Sequence, residues 1–202
     1  MASEMTTFPR EKVTLPPPQT HDGLPLFSAL RLRHSVRTYT DQPISRETLS
    51  TLLWAAFGIN RATSGDRTAP YWRHMVVIDL YLAIADGVWL YDPKAHAMVP
   101  VIDGDIRAET GMQDFVAVAP LELIYVAHGD RMDIPAEQQR LYASVDSAFI
   151  GENIYLFCAS EGLGTVFRGS FDPAKLAKLL HLSDQEFVTF VQTVGYPGCD
   201  AP

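Results

Sequence analysis

The sequence has few cysteines, no long apolar run and no excess of positive charge. Its two cysteines, Cys158 and Cys199, are too few for a disulfide framework or a cysteine-rich metal site. No stretch approaches the roughly eighteen apolar residues that suggest a membrane span, and the opening MASEMTTFPREK lacks the apolar centre of a signal peptide. We therefore expect no membrane partner and a cytoplasmic location, or a periplasmic one if a leader peptide has been removed.

The charge balance of the chain is acidic. Its 24 acidic residues outnumber its 16 basic residues, which gives a formal net charge of −8. Such a chain has no global positive field to attract a polyphosphate, so nucleic acid is not an expected partner. Any phosphate that the protein binds must meet a local basic cluster. With 202 residues, 47% of them hydrophobic, the chain is long enough to bury one substantial core.

Prolines and hydrophobic spacing divide the chain. Pro16, Pro17 and Pro18 lie in a polar stretch, which predicts an extended N-terminal arm over residues 1–23 and a single domain over residues 24–202. Helical spacing and β-type runs predict an α+β fold. The predicted helices cover 24–32, 45–58, 141–161 and 173–180, with a helical segment near 105–118; the predicted strands cover 75–83, 88–91, 97–102, 121–127 and 186–196.

A basic pattern follows the first predicted helix. Arg33, Ser35 and Arg37 alternate along an extended segment, so two guanidinium groups and one hydroxyl are expected on the same face. Arginine binds phosphate with two parallel hydrogen bonds and keeps its charge, and serine adds a small donor. The pattern predicts an anion site, although a solvated basic strand would have the same sequence. His34 is expected to point to the opposite face.

Glycines mark the end of the long predicted helix. In the sequence EGLGT, Gly162 and Gly164 would let the backbone approach a planar ring closely. An ordinary helix C-cap explains Gly162 equally well. The loop at 59–73, rich in Gly, Ser, Thr and Arg, has the composition of a functional loop.

In their order along the chain, these motifs resemble the nitroreductase family of FMN-dependent oxidoreductases. The matching sequences span roughly residues 27–197 and are RHSVRTY, GINRATSGDRTAPYW, MVVIDLY, GVWLYDPKAHAM, GMQDFVAVAP, ENIYLFCASEGLGT and VQTVGYP. The Tyr-Asp-Pro of the hairpin and the Asn-Arg of the loop are most similar to the branch that contains the dehydrogenases of peptide azolines. The resemblance implies a nitroreductase-like three-layer sandwich, in which helices flank a mixed, mostly antiparallel sheet, and a homodimer with two shared flavin sites.

The resemblance also implies roles for individual residues. Arg33 and Ser35 match positions that hold the FMN phosphate and ribityl chain, and Arg37 matches the cation near the pyrimidine edge of the flavin. The backbone of residues 162–164 would lie beside the reactive N5 atom, and Gln113 would reach the flavin with its amide. The expected cofactor-binding residues are Arg33, His34, Ser35, Arg37, Pro70, Tyr71, Trp72, His74, Gln113, Gly162, Leu163, Gly164 and Arg168.

Two departures from the family pattern change these expectations. Where the family has Pro-Ser-x-x-Asn, in a loop that contacts the flavin of the other subunit, this chain has PYWRH from Pro70 to His74. His74 is expected to replace the asparagine as a donor, while Tyr71 and Trp72 are expected to narrow the pocket. The chain also ends soon after VGYP, without the basic residues that many members place there. Arg168 and Arg61 are expected to compensate for these phosphate ligands.

The implied activity is hydride transfer by a ping-pong cycle, from NAD(P)H through FMN to a small planar acceptor of the nitroaromatic or quinone type. The flavin carries the chemistry, so we expect no obligatory acid or base and no metal. Three alternatives remain open at this point. The protein could be a flavin-dependent dehydrogenase of a modified peptide, a flavin-binding module without turnover, or an α+β protein without a cofactor.

Overall fold

The computed structural model describes residues 11–199. Its helices are α1 (Leu26–Leu32), α2 (Arg46–Phe57), α3 (Ala136–Glu161) and α4 (Pro173–Leu179). Its strands are β1 (Val13–Thr14), β2 (Ile59–Arg61), β3 (Asp66–Arg67), β4 (Ile78–Ile84), β5 (Gly87–Asp92), β6 (Ala97–Asp103), β7 (Leu121–His128), β8 (Gly164–Arg168) and β9 (Glu186–Gly195). None of the helices in this part of the chain has the length and apolarity needed to cross a membrane.

Seven strands form one sheet in the order β1-β6-β5-β4-β7-β9-β8. Each pair of neighbouring strands in the described part of the chain is antiparallel. The predicted hairpin is present as β5 and β6, in which Tyr91 lies opposite Met98. The predicted α+β fold with a mostly antiparallel sheet is therefore confirmed.

The sheet separates two hydrophobic layers. Along the fully buried strand β7, Leu123 and Tyr125 pack toward α2 and α3, whereas Ile124 and Val126 pack toward α4. Successive side chains of a strand point to opposite faces, so one apolar run serves both layers. The result is the expected three-layer sandwich.

The principal helices begin and end at residues suited to those positions. Ser45 begins α2 by accepting a hydrogen bond from the Thr48 N–H. Helix α3 begins at Ala136, before the predicted residue 141, because the residues after Pro135 (Ala136, Glu137, Gln138 and Gln139) all favour a helix. It ends at Gly162, which adopts the left-handed conformation of a C-cap (φ 69°). Gly162 is therefore a helix cap, whatever else its backbone contacts.

The N-terminal arm contains a short strand that the sequence did not predict. Strand β1 pairs with the edge strand β6, where Val13 lies opposite Met98, and Leu15 is buried in the main core. Pairing with the arm covers a sheet edge that would otherwise expose unpaired backbone groups.

Three other segments differ from the sequence prediction. The loop at 59–73 contains the small hairpin of β2 and β3. Residues 105–118 are not a helix but two short 3₁₀ turns, because Gly111 interrupts the segment and glycine disfavours a helix interior. Strand β8 was not predicted, although Thr165 and Val166 are β-branched residues that suit a buried strand.

Candidate functional site

The arginine segment, defined as residues 33–37, lies against helix α3. The guanidinium of Arg33 lies over the ring of Tyr155, 5.2 Å from its centroid. The Ser35 Oγ is 2.9 Å from the Tyr155 hydroxyl, which also accepts a hydrogen bond from the Phe167 N–H at 3.0 Å. When the tyrosine proton points to Ser35, the serine proton is left to face an anion. No local pattern in the sequence singled out Tyr155 as the residue that supports this segment.

The charges of this segment are not neutralised within the chain. Among residues 11–199, neither Arg33 nor Arg37 has a carboxylate within ion-pair distance, and Arg37 is exposed. His34 is exposed too, and its Nδ1 lies 2.7 Å from the Leu32 carbonyl oxygen. The segment therefore presents two guanidinium groups and one hydroxyl, while His34 is engaged in the local turn.

The glycine segment, defined as residues 162–164, adjoins the arginine segment. The Val36 N–H donates to the Thr165 carbonyl at 2.9 Å. A Cβ atom on Gly164 would lie 2.8 Å from two carbons of the Val36 side chain, which is too close for any larger residue without a shift. The Leu163 side chain is buried in the core, so only its backbone can face a ligand. The arginine segment and the glycine segment, which lie far apart in the sequence, are thus in direct contact through the buried residues Val36 and Gly164.

Arg168 is in the interior and is not available to a phosphate. Its side chain is 3% exposed, and Nη2 lies 2.5 Å from Oε2 of the buried Glu122. Nη1 donates to Oε1 of Gln113 at 3.5 Å, which brings the predicted amide beside β8. This arrangement corrects the expectation that Arg168 supplies a phosphate ligand. Arg61 also has an ion-pair partner within the chain, because its Nε lies 3.3 Å from Oδ2 of Asp66.

Glu122 is a buried acid that sequence reasoning did not single out. Burial raises the pKa of its carboxyl to about 7, against the lowering effect of Arg168 beside it. The Thr193 hydroxyl also donates to both carboxylate oxygens, at 2.8 and 3.0 Å. The sequence did contain a signal for this acid, because Glu122 is the one charged residue in the apolar run LELIYVA. Acids are almost never fully buried without a partner, so a buried strand here predicts a buried partner for Glu122.

The aromatic loop, defined as residues 70–74, is held by two carboxylates. The Tyr71 hydroxyl donates to Asp66 at 2.8 Å, and the exposed His74 places Nδ1 3.6 Å from the same carboxylate. The Trp72 N–H donates to Oδ2 of Asp146 on α3 at 2.9 Å. Pro70 is exposed and begins the loop. These contacts fix the loop against the first half of α3.

Within one chain, the aromatic loop and the glycine segment lie apart. Asp146 precedes Gly162 by sixteen helical residues, which corresponds to roughly 24 Å at 1.5 Å per residue. Arg73 and His74 both adopt left-handed conformations, with φ of 47° and 57°, and such conformations are uncommon for residues other than glycine. The structure thus places the arginine segment against the glycine segment, and Gln113 against Arg168 at the other end of β8, while the aromatic loop lies apart from the glycine segment.

A cavity of about 650 Å³ lies between the N-terminal arm, α2 and α3. Gln19, Trp54, Asn153 and Phe157 line it, but no residue of the arginine segment does. The cavity is therefore distinct from the place where the arginine segment meets the glycine segment.

The site thus combines an antiparallel sheet flanked by helices with two arginines that have no carboxylate partner among residues 11–199 and that adjoin a glycine segment, an arrangement suited to an anionic ligand. The chain belongs to the Nitroreductase family, whose family model matches residues 30–196. The crystal structure of a putative nitroreductase from Ralstonia eutropha is similar to it, with a TM-score of 0.90, 38% identity, and coverage of 98% of this chain and 95% of that one.

Two curated proteins are similar in sequence. The putative nitroreductase of Methanocaldococcus jannaschii is 28% identical over 86% of this chain and 92% of that protein. An NADPH-dependent oxidoreductase of Staphylococcus epidermidis is 25% identical over 85% of this chain and 64% of that protein. Family membership and these relatives show that the protein is an oxidoreductase.

Proposed function

We propose that the protein binds FMN where the arginine segment meets the glycine segment, and that it transfers hydride from NAD(P)H to a small planar acceptor. The observation that carries this proposal is the contact of Val36 with Gly164 and Thr165, because it holds the arginine segment beside the glycine segment, where the exposed Gly162 has open space next to its backbone. When bound, FMN supplies the redox chemistry, since its isoalloxazine ring takes up and releases hydride.

The donor set of the arginine segment fits a flavin mononucleotide. Arg33 and Ser35 would hold the phosphate and the ribityl chain with charge-assisted hydrogen bonds. Arg37, which has no carboxylate partner among the described residues, would face the pyrimidine edge and stabilise negative charge there. Gln113 would donate its amide to the same ring. The chain needs no acid or base of its own for this cycle, in which NAD(P)H and the acceptor use one slot in turn.

We further propose that the site is completed in a homodimer. Several large apolar side chains on α1 and α3 are exposed, among them Phe27 at 85%, Leu141 at 58% and Phe149 at 46%. Exposed apolar side chains gathered on two helices that pack against each other point to an association surface. A second copy fits it, because two-fold symmetry would bring the aromatic loop of one chain to the glycine segment of the other, which its own chain keeps about 24 Å away.

Flavin analysis and a turnover assay test the proposal. The purified protein is expected to be yellow, to release FMN on heating, and to oxidise NADH or NADPH in the presence of a nitroaromatic or quinone. Colourless protein that takes up no added FMN would contradict the proposal. Bound flavin without any turnover would favour a flavin-binding module, and turnover only with an azoline-containing peptide would favour a peptide dehydrogenase.

A further inference from the structure

Arg168 anchors the irregular segment that carries Gln113. Its Nη1 donates to the Thr110 carbonyl at 3.3 Å and to the Gln113 side-chain oxygen at 3.5 Å. The guanidinium also lies 5.7 Å from the centroid of the Phe115 ring. A side chain at Gly111 would collide with Nη1, so the segment passes close to the guanidinium.

The other side of the guanidinium is fixed within the sheet. Nη2 lies 2.5 Å from Oε2 of Glu122, and Nε donates to the Thr193 hydroxyl at 3.1 Å. The whole Arg168 residue, backbone included, is only 5% exposed. A planar guanidinium held by two adjacent strands has one orientation available, so Nη1 is a fixed donor toward the Gln113 segment.

This donor favours one orientation of the Gln113 amide, through a contact at the long end of hydrogen-bond distances. Arginine has no acceptor atoms, so the amide of Gln113 can meet Arg168 only with its carbonyl oxygen. Its two N–H donors are therefore turned away from Arg168. The same segment packs against the arginine segment. The ring centroids of Phe115 and Tyr39 are 5.7 Å apart, and the Tyr39 hydroxyl donates to the Val36 carbonyl.

We propose that Arg168, held by Glu122, is a positioning residue that presents Gln113 to the flavin as a hydrogen-bond donor. This inference rests on the proposed FMN site. A donor at the polar edge of the ring stabilises the reduced, electron-rich form more than the oxidised form, so it raises the midpoint potential. Arg168 thus acts on the flavin through Gln113 and not as a phosphate ligand.

The test measures the flavin midpoint potential in a double-mutant cycle of Gln113→Ala and Arg168→Lys. Lysine keeps a cation for Glu122 but loses the planar fork that reaches Gln113. Each single change is expected to lower the potential, and the double variant is expected to show no larger shift than either single variant. Arg107→Lys is the matched control. Arg107 anchors the same segment, but it does so through the Ala119 carbonyl at 2.9 Å and not through Gln113. This variant is expected to leave the potential unchanged.

Independent, additive shifts, or an unchanged potential in Arg168→Lys, would overturn the inference while leaving the proposed FMN site intact. If Arg168→Lys does not fold, the neutral pair Arg168→Met with Glu122→Leu takes its place, because an apolar pair of similar volume often preserves stability. The same non-additivity with Gln113→Ala is then required. Wild-type protein that binds no flavin would contradict the proposed function itself, which is a separate outcome.

Discussion

The backbone N–H of Trp72 donates to Oδ2 of Asp146, and this carboxylate is only 3% exposed. Among the described residues, no basic side chain lies within ion-pair distance of it. Burial raises the pKa of Asp146 to about 6, although the hydrogen bond from Trp72 opposes this shift. The aromatic loop is thus held by a group whose charged form is costly in the folded state.

Asp146→Asn is expected to stabilise the fold at neutral pH. Because the folded pKa of about 6 exceeds the ordinary 3.8, the folded state binds the proton more tightly, and stability is lost as the pH rises from about 4 through 6. The loss amounts to about 3 kcal/mol. Asparagine keeps an acceptor for Trp72 without the charge, so wild type and variant should differ at pH 8 and converge near pH 4. Urea unfolding at several pH values measures this.

The control for that experiment is Asp184→Asn, which changes an exposed carboxylate. It should leave the pH dependence of unfolding as in the wild type. Equal stability of wild type and Asp146→Asn across the whole range would mean that the Asp146 charge costs nothing in the folded state.

Gly164→Ala is expected to weaken both the fold and flavin binding. The new methyl group would meet Val36 at 2.8 Å, and overpacking of this kind costs about 1–3 kcal/mol. Relief of the contact would push the arginine segment away from β8. Gly169→Ala is the matched control, because a methyl group there meets only Phe190 at an ordinary 3.8 Å. Thermal unfolding and an FMN titration measure the two effects; identical values for both variants would contradict the packing argument.

The sequence predicted those parts of the site that depend on local patterns. The alternation in the arginine segment spans only five residues, and the glycines after α3 span only three, so each pattern can be recognised locally. The burial of Arg168 and its proposed role could not be seen in this way, because its partner Glu122 is distant in sequence and lies on another strand. The position of the aromatic loop was hidden for the same reason, since Asp146, which holds it, is distant in sequence.

Arg33→Ala is expected to lose most of the flavin. Removal of a charged partner from a desolvated phosphate costs about 2–5 kcal/mol of binding free energy. Because Arg33 is only half-buried, we expect a cost of about 2 kcal/mol, which corresponds to about a thirty-fold rise in the Kd for FMN. Arg31→Ala is the control, because Arg31 is an exposed arginine in the last turn of α1. Fluorescence titration with FMN measures both. An unchanged Kd for Arg33→Ala would move the phosphate site elsewhere.

Arg37→Ala is expected to keep FMN but to lower the midpoint potential and slow reduction by NAD(P)H. The exposed guanidinium would face negative charge that develops mainly after hydride arrives, so its loss weakens the reduced state more than the oxidised state. Spectroelectrochemical titration measures the potential. A potential equal to that of the wild type would reject this role for Arg37.

The last prediction concerns the shared site, and it uses two variants that each lose flavin for a different reason. Arg33→Ala damages the arginine segment, and the double change of Tyr71→Ala and His74→Ala damages the aromatic loop. If each site takes the arginine segment from one chain and the aromatic loop from the other, a heterodimer of the two variants has one intact site and one doubly damaged site. It should therefore bind about half as much FMN per dimer as the wild type, as expected for an interface formed by two-fold symmetry.

The measurement is an FMN titration after the two variants have been mixed under conditions that allow subunits to exchange. Each variant mixed with itself is the control, and neither should regain binding. Sedimentation supplies the oligomeric state independently. A particle of about 22 kDa, or a heterodimer that regains no flavin, would mean that one chain builds the site alone. In that case the exposed side chains of Phe27, Leu141 and Phe149 would need a different partner to cover them, because exposed apolar side chains are costly to leave in water.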